Sequence, residues 1–482
     1  MPIQRLLIAN RGEIAVRVAR TAREMGIVTV VVYSDADADA PHVRACDEAV
    51  RIGPAPPGES YLAIDRLLDA ARSTGADAVH PGYGFLAENA AFARAVLDAG
   101  LVWVGPAPEV ITAMGDKVGA RLRMRAAGVP VVPGVESDDP VAIAALGFPV
   151  LVKAAGGGGG KGMRRVDTEA ALAEALVEAR SEAEAAFGNG VVYAEKLVDR
   201  PRHVEVQVLG DNAGTIAHLG ERECSIQRRH QKLVEEAPSP ALDTDTRARL
   251  CATAVEAARA VAYTGAGTVE FLLDPDGRFY FLEMNTRIQV EHPITELVTG
   301  VDIVREQLRI AMGERLGYTE VSARGHAIEC RIVAEDPARD FLPSPGRITR
   351  WRPPVGPGVR VDAGVEEGSE VGLSYDPLLA KVIVHGPNRA AACARMERAL
   401  SELVVLGVDT TAELLRDVIA SPAFAAGDTT TDFLDRFAWT PPEVDAAAYA
   451  AAWRAAPEAP VAASGGGRTA EASPWATLGR WR

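Results

Sequence analysis

Cysteine is scarce in this chain, and long uncharged apolar runs are missing. The five cysteines are scattered and form no CxxC pair: Cys46, Cys224, Cys251, Cys330 and Cys393. This spacing argues against a disulfide framework or a zinc cluster, and we interpret Cys224 as structural. The sequence contains no stretch of about 18 uncharged apolar residues that could span a membrane, and its start lacks the apolar core of a signal peptide. We therefore expect a cytoplasmic protein without a membrane partner.

An excess of positive charge is also missing. The formal net charge is −15 and the isoelectric point lies near 5.2, so the chain as a whole would repel a phosphate backbone. We expect no nucleic acid partner. Hydrophobic residues make up 48% of the chain and charged residues 24%, which is ordinary usage for a globular protein. Because one hydrophobic core stops growing near about 250–300 residues, this length predicts two to four domains.

The beginning of the chain follows a strand–helix–strand pattern. Apolar runs at Arg5–Ala9 and Ile27–Tyr33 flank Glu13–Met25, in which apolar residues recur at helical spacing. This pattern predicts an open parallel sheet over residues 1–114. The first turn, Asn10-Arg-Gly-Glu13, holds a single glycine where a dinucleotide-binding fold needs GxGxxG, which argues against an oxidoreductase.

The rest of the chain changes character three times. Residues 115–324 contain strands broken by glycine and turn residues, which predicts an α+β domain. Residues 325–440 are first strand-rich and then helix-rich, which predicts a third domain. Residues 441–482 are dominated by alanine, proline and glycine, a composition typical of a linker or tail. The predicted fold class is therefore α/β combined with α+β.

A glycine-rich segment lies between two predicted strands. The stretch from Lys153 to Gly162 has alanine at position 155 and glycine at 162, so it fails the GxxxxGK[ST] phosphate-binding motif. A mobile hairpin lid that covers phosphates with backbone N–H groups would need such a permissive backbone. The competing interpretation is a flexible surface linker.

A predicted hairpin turns at Asp274-Pro-Asp-Gly277. Pairing about that turn places Glu270 opposite Phe281, with Glu283 as a diagonal neighbour on the face of Glu270, within about 7–8 Å. Two carboxylates at this separation suit a divalent ion bound to a nucleotide. If the strand stays extended, the same face carries Glu283, Asn285, Arg287, Gln289 and Glu291. The alternative is a solvated polar face.

Several cations could complete an anion-binding site: Lys117, Lys153, Lys232, Arg287 and Arg331. Each is more often a solvated surface charge when taken singly, but fixed cations stabilise the charge that develops in phosphoryl transfer. His203 and His230 are each as consistent with a structural hydrogen bond as with a ligand contact.

These stretches resemble biotin carboxylases of the ATP-grasp superfamily over nearly all of residues 1–440. The matching strings, in order, are IANRGEIAVR, HPGYGFLAEN, MGDK, KAAGGGGGKGM, PRHVEVQVL, ERECSIQRRHQKLVEEAP, GTVEFL, EMNTRIQVEHPITE, ECRIVAEDP and FLPSPGRI. The resemblance implies an N-terminal open sheet, a central ATP-grasp domain with a mobile lid subdomain over about 132–204, and a C-terminal domain that closes the active site.

The resemblance also implies a nucleotide site. ATP phosphates would contact Lys117, Lys153, Gly156, Gly157, Gly158, Gly159 and Gly160. Adenine and ribose would be surrounded by Glu195, Lys196, His203, Gln227 and His230. Mg²⁺ or Mn²⁺ would be held by Glu270, Glu283 and Asn285.

The catalytic roles implied by the resemblance concern bicarbonate and biotin. Arg287, Gln289 and the backbone of Val290 would hold bicarbonate, and Glu291 would take its proton. Lys232 would stabilise carboxyphosphate, and Arg331 would stabilise the biotin enolate. A carboxylate base beside a guanidinium that grips bicarbonate gives activation and orientation together.

We expect the first half-reaction of an acyl-CoA carboxylase, in which biotin on a separate carrier is carboxylated, as in fatty acid biosynthesis. The sequence lacks an Ala-Met-Lys-Met biotin-attachment pattern, so the expected partners are a biotin carboxyl carrier protein or domain and a carboxyltransferase subunit. The resemblance implies a homodimer or larger assembly. The alternatives are another ATP-grasp carboxylase or carbamoyl-type ligase, and a catalytically silent nucleotide-binding scaffold.

Overall fold

A computed structural model of the chain describes residues 2–155 and 163–441, apart from the side chains of residues 186 and 187. The strands, in chain order, are β1 (Arg5–Ile8), β2 (Val28–Ser34), β3 (Glu48–Gly53), β4 (Ala78–His80), β5 (Val102–Trp103), β6 (Gly134–Val135), β7 (Val150–Ala154), β8 (Met163–Val166), β9 (Val192–Lys196), β10 (Arg202–Gly210), β11 (Ile216–Arg228), β12 (Gln231–Ala237), β13 (Gly265–Leu273), β14 (Phe279–Asn285), β15 (His326–Val333), β16 (Glu335–Asp336), β17 (Leu342–Pro343), β18 (Gly346–Arg347), β19 (Arg350–Arg352), β20 (Val359–Ala363), β21 (Glu370–Val371), β22 (Leu378–Gly386) and β23 (Val404–Leu406). The α-helices are α1 (Gly12–Glu24), α2 (Pro41–Ala45), α3 (Ile64–Thr74), α4 (Ala90–Asp98), α5 (Pro108–Gly115), α6 (Lys117–Ala126), α7 (Pro140–Ala144), α8 (Leu172–Phe187), α9 (Thr244–Arg259), α10 (His292–Thr299), α11 (Ile303–Ala311), α12 (Arg389–Glu402), α13 (Ala412–Ala420), α14 (Pro422–Ala425) and α15 (Phe433–Arg436).

The first five strands form a parallel sheet in the order β3-β2-β1-β4-β5. Leu6 and Ile8 of β1 pack into one core together with Ile14 and Val18 of α1, whereas Leu7 packs into the core on the other face. Burial on both faces is what a parallel sheet requires. The predicted open parallel sheet is confirmed.

Two antiparallel sheets carry the middle of the chain. A four-stranded sheet in the order β6-β9-β7-β8 packs against α8 through Leu172 and Leu176. An eight-stranded sheet has the order β14-β13-β10-β11-β12-β15-β22-β20. A parallel α/β layer followed by antiparallel α+β layers confirms the predicted fold class.

The eight-stranded sheet continues past position 324, where the sequence predicts a domain boundary. Its strand β12 pairs with β15, with Val234 opposite Cys330 and Glu235 opposite Glu329. The described residues up to Trp439 belong to one compact unit, and a second unit begins at Thr440. The domain boundaries predicted from the sequence stay predictions. The predicted tail lies outside the described residues from position 442 onward.

The predicted register of the β13–β14 hairpin is wrong. Phe271, rather than Glu270, is paired with Phe281, and a β-bulge follows so that Glu270 lies directly opposite Glu283. The physical reason is core packing, because Phe271 and Phe281 are both buried in the same apolar cluster. A bulge places two residues of one strand opposite one residue of its partner, and here it keeps the two acids together while both aromatic rings enter the core.

None of the helices in the described ranges is long and apolar enough to cross a membrane.

Candidate active site

The β13–β14 hairpin brings two predicted metal ligands together. Glu270 and Glu283 are a directly opposed pair, so their Cβ atoms lie within about 4.5–5.5 Å of each other. The Asn285 amide donates to Glu270 Oε1 at 2.8 Å, and Lys117 Nζ lies 3.5 Å from Glu283 Oε2. Carboxylate and amide oxygens are the ligands that Mg²⁺ prefers, so the chemistry of these side chains fits that ion.

Lys232 lies at the centre of the site on β12. Its amino group contacts Glu205 Oε2 at 2.6 Å, Glu270 Oε1 at 2.9 Å and Glu291 Oε1 at 2.7 Å. Burial would lower the pKa of Lys232, but the charges of these three carboxylates outweigh it and raise the pKa well above its ordinary value. The lysine is therefore a fixed cation.

Glu291 is held between two cations. One carboxylate oxygen contacts Lys232, and Oε2 accepts from Arg331 Nη2 at 3.0 Å. Burial would raise the pKa of Glu291, but the charges of Lys232 and Arg331 hold it below its ordinary value. Arg331 also donates from Nε to Glu235 at 2.6 Å. Glu291 is thus ionised at neutral pH and fixed at both oxygens.

The segment 286–291, which we call the 286–291 loop, leaves the sheet after Asn285. The extended continuation considered from the sequence is wrong, because β14 ends at that residue. Thr286 N donates instead to Glu88 Oε1 at 3.0 Å, and Arg287 Nε donates to Glu88 Oε2 at 2.8 Å. Contacts with a distant glutamate therefore redirect the backbone.

The 286–291 loop still brings its polar side chains back to the hairpin. Gln289 Nε2 donates to Glu270 Oε1 at 2.8 Å, and its Oε1 accepts from Arg222 at 2.9 Å. Arg287 Nη2 donates to Asn285 Oδ1 at 3.1 Å. The backbone carbonyl of Val290 accepts from a buried lysine, Lys381, at 2.8 Å. The polar residues therefore converge without an extended strand.

His203 lies between two acids rather than in a neutral pocket. Its Nε2 is 3.1 Å from Glu270 Oε2 and 3.5 Å from Glu205 Oε2. Burial would lower the pKa of His203, but the negative charge of Glu270 and the proximity of both carboxylates raise it to about 9. The ring is therefore a cation at neutral pH.

The predicted nucleotide residues fall into two groups. Lys153 on β7 and Glu195 on β9 form a buried ion pair, which Arg121 also joins. Lys196 turns its amino group towards the backbone carbonyls of Gly147 and Phe148, at 3.0 Å from each. The amino group of Lys196 is therefore hydrogen-bonded to the backbone of the segment before β7 and makes no described contact with Glu195.

Gln227 and His230 lie at the β11–β12 turn. Gln227 is opposite Lys232 in the ladder, and His230 occupies the left-handed backbone region at φ 66°. Burial lowers the pKa of His230, and the positive charges of Lys153 and Lys117 lower it further, so the three side chains share one electrostatic environment. The predicted phosphate contacts Gly156–Gly160 lie outside the described residues.

A pocket of about 180 Å³ opens beside the 286–291 loop. Its lining includes Tyr83, Arg287, Val290, Arg331 and Asp376. Three predicted site residues, Arg287, Val290 and Arg331, therefore line one space. Tyr83 from the N-terminal sheet region and Asp376 from the segment before β22 line the same space.

Sequence reasoning missed several residues that bound the site: Tyr83, Glu88, Glu205, Arg222 and Glu235. Arg222 is fully buried and donates to Glu205, Gln207, Thr268, Thr295 and Gln289. A signal was available, because all five lie within the matching strings. Glu205 shares the strand face of His203, two residues away, and Glu88 lies within the HPGYGFLAEN string.

Comparison with known proteins gives three family matches that together span most of the chain. They are the biotin carboxylase N-terminal domain at residues 2–111, the carbamoyl-phosphate synthase L chain ATP-binding domain at 116–319, and the biotin carboxylase C-terminal domain at 329–436.

Individual relatives cover a similar span. A biotin carboxylase of Nostoc sp. is 52% identical over 442 residues, which are 90% of this chain and 99% of the relative. A pyruvate carboxylase subunit from Methanothermobacter thermautotrophicus is 52% identical over 441 residues, 90% of each chain. The biotin carboxylase domain dimer of Hydrogenobacter thermophilus 2-oxoglutarate carboxylase, solved with MgADP, ADP and bicarbonate, superposes with a TM-score of 0.88 at 46% identity, covering 92% of this chain and all of the other.

Proposed function

This chain belongs to the biotin carboxylase family, whose members are ATP-grasp ligases, and from that premise we propose that it uses ATP and bicarbonate to carboxylate biotin carried by another protein. The observation that supports this proposal most strongly is the position of Glu291 between Lys232 and Arg331. An ionised base with a fixed cation on each side suits a reaction in which a proton is removed and anions are formed and consumed.

In the proposed first step, bicarbonate lies against Arg287, Gln289 and the backbone of Val290, and Glu291 accepts its proton. An anion that draws Lys232 and Arg331 towards itself would take positive charge away from Glu291 and raise its pKa. The same movement would therefore make the carboxylate a stronger base when substrate is bound.

The deprotonated bicarbonate oxygen then attacks the γ-phosphorus of ATP, ADP leaves, and carboxyphosphate forms. Glu270, Glu283 and Asn285 would hold Mg²⁺, or Mn²⁺ in its place, and the bound ion would neutralise charge on the phosphates. Lys117, Lys153 and the glycine segment would contact the phosphates, while Glu195, Lys196, His203, Gln227 and His230 would surround adenine and ribose. The raised pKa of Lys232 supports its role as a permanent cation beside carboxyphosphate.

In the second step, carboxyphosphate breaks into CO₂ and phosphate, and the phosphate accepts the proton of the biotin ring nitrogen, which attacks CO₂. Arg331 lines the pocket beside the 286–291 loop, where it can face the ureido oxygen and stabilise the enolate. A guanidinium suits this task because it stays charged at all working pH values.

We further propose a homodimer that works with a biotin carboxyl carrier and a carboxyltransferase of an acyl-CoA carboxylase. The dimer of the Hydrogenobacter domain supports the first part. Keto acids are the competing acceptors, because two of the compared relatives are named for pyruvate and 2-oxoglutarate. Reconstitution with carboxyltransferases of each type, followed by transfer of labelled carbon, distinguishes the acceptors.

The proposal is tested by measuring ATP cleavage with and without bicarbonate and free biotin. We expect bicarbonate-dependent cleavage that biotin stimulates. Glu291→Gln should reduce it by about 10²–10⁴-fold, the usual contribution of a positioned base, while nucleotide affinity is kept. Glu320→Gln, at a carboxylate whose side chain is 77% exposed, is the matched control and should leave the rate unchanged. Cleavage that ammonia rather than biotin stimulates would instead indicate a carbamoyl-type ligase, and nucleotide binding without turnover would indicate a silent scaffold.

A further inference from the structure

A lysine is buried directly behind the 286–291 loop. Lys381 lies in the middle of β22, its side chain is fully enclosed, and its neighbours Ala380 and Val382 are buried as well. Removing an ammonium group from water costs several kcal/mol unless it finds partners. The contacts of Lys381 therefore indicate what its charge does.

Three chain segments meet at this amino group. Lys381 Nζ donates to the Val290 carbonyl at 2.8 Å and lies 3.1 Å from Glu13 Oε1 on α1 and 3.9 Å from Asp362 on β20. Burial raises the pKa of Glu13 and that of the nearby Glu329, and the positive charge of Lys381 opposes the rise at both acids. Lys381 thus joins the 286–291 loop to the N-terminal helix.

The connection extends to a second residue that lines the pocket. Glu13 Oε1 also accepts a hydrogen bond from Tyr83, and both Tyr83 and Val290 line the pocket. Val290, Lys381, Glu13 and Tyr83 therefore form one chain of polar contacts, which we call the Lys381 brace; its two central members, Lys381 and Glu13, are buried. It connects two residues that line the pocket.

Some of the other contacts of the loop end on groups with proposed ligand roles. Gln289 donates to Glu270, and Glu291 contacts Lys232 and Arg331. Bound substrates would rearrange those contacts, because they engage the same side chains. The contact from Lys381 reaches a backbone carbonyl from a fully buried position, so bound ligand leaves it in place.

We propose that Lys381 is a positioning residue that holds the Val290 backbone, and with it the 286–291 loop, in the geometry that binds bicarbonate. This inference rests on the proposed function of the loop. It predicts a specific loss of bicarbonate affinity when the amino group is removed, since a hydrogen bond from a charged donor contributes about tenfold or more to an affinity.

The test uses the full chain with Lys381→Met, which keeps most of the side-chain volume. We expect the KM for bicarbonate to rise about tenfold or more, with the KM for MgATP changed less than about twofold. Hydrogen exchange of the ligand-free protein should become faster at the amides of residues 286–291.

Because Lys381→Met leaves Glu13 without its cation, the double variant Glu13→Gln/Lys381→Met is measured as well. It removes both charges and keeps a polar partner for Tyr83, so it should recover stability but keep the raised KM for bicarbonate. Arg389→Met is the matched control, because it breaks another partly buried contact, at 2.7 Å to Glu236, away from the loop. It should lower stability and leave that KM unchanged.

Two results would overturn the inference: unchanged exchange at residues 286–291 in Lys381→Met, or a bicarbonate KM that returns to the wild-type value in the double variant. Failure of the proposed function has a different signature. A wild-type protein without bicarbonate-dependent ATP cleavage would refute the carboxylase assignment, whereas the exchange measurement still decides whether Lys381 holds the loop.

Discussion

Lys232 determines the charge balance of the site. Three carboxylates, from Glu205, Glu270 and Glu291, converge on its amino group, and all three are buried. Ionised acids this close would repel one another strongly in the interior if the lysine were absent. The cation therefore makes it possible to keep an acidic cluster in place before any metal or phosphate binds, which is the preorganisation that phosphoryl transfer requires.

His80 gives a pH prediction for the segment that carries Tyr83. Its Nδ1 accepts from Gly82 N at 3.0 Å, and its Nε2 lies 3.2 Å from Gln307 Oε1. An accepting Nδ1 carries no proton, so these contacts require the neutral ring. Burial, reinforced by the charge of Arg17, lowers the pKa of His80 to about 4. The unfolded chain binds this proton below about pH 6.5, whereas the folded protein does so only near pH 4. The stability that His80 contributes is therefore complete above pH 6.5 and is lost as the pH falls towards 4.

Between pH 7 and pH 5 this linkage corresponds to about 2 kcal/mol of unfolding free energy. Urea titrations of the wild type and of His80→Asn at both pH values measure it. Titrating acids affect both proteins equally, so the variant should lose about 2 kcal/mol less than the wild type over that interval. Equal losses would show that the pKa of His80 is the same in the folded protein and in the unfolded chain.

At the scale of elements, the β13–β14 hairpin shows what sequence reasoning could and could not reach. The turn residues and the two apolar runs predicted the hairpin, and the acids do share a face. The register was missed because it depends on Phe271 and Phe281 packing into one core, a tertiary contact that strand alternation does not encode.

The 286–291 loop illustrates the same limit. Its alternating sequence is typical of a strand, yet Glu88, located 198 positions before Thr286, accepts the backbone N–H that a continued ladder would have used. A long-range contact of this kind leaves no local signal. The residues Glu205, Arg222 and Glu235 were missed for a related reason, since each contacts a predicted residue that lies on a different element or loop.

The hairpin geometry predicts that Glu283 matters for metal affinity more than for folding. Its side chain is 37% exposed and lies 3.5 Å from Lys117, so Glu283→Gln should fold normally. Loss of one of the two proposed carboxylate ligands should raise the Mg²⁺ concentration for half-maximal ATP cleavage by about tenfold or more. Asp276→Asn at the exposed hairpin turn is the control, because Asp276 pairs only with Arg278 among its described contacts. A Mg²⁺ dependence unchanged in Glu283→Gln would remove this acid from the metal site.

At the scale of the whole molecule, the eight-stranded sheet joins parts of the chain that the sequence assigns to different domains. The motif strings identified the family and the order of layers, but no string reveals that β12 and β15 are adjacent. Cys330 and Ile328 of β15 pack in one core with Ile226 and Val234 of the preceding strands. The proposed catalytic residues are divided in the same way, since Arg331 lies on β15 and its partner Glu291 precedes α10.

This continuity predicts that a 1–324 fragment cannot fold by itself. Its β12 would become an unpaired edge, and Leu233 and Val234, now at most 3% exposed, would face water, which favours aggregation. Size-exclusion chromatography and urea unfolding should show aggregates without a cooperative transition, whereas a 1–441 chain should unfold cooperatively.

Supplying residues 325–441 as a second chain returns both the missing strands and Arg331, so any recovered solubility should be accompanied by recovered bicarbonate-dependent ATP cleavage. A monomeric 1–324 fragment with a cooperative transition would show that the sheet is stable without β15, and the predicted boundary at 324 would then mark a true folding unit.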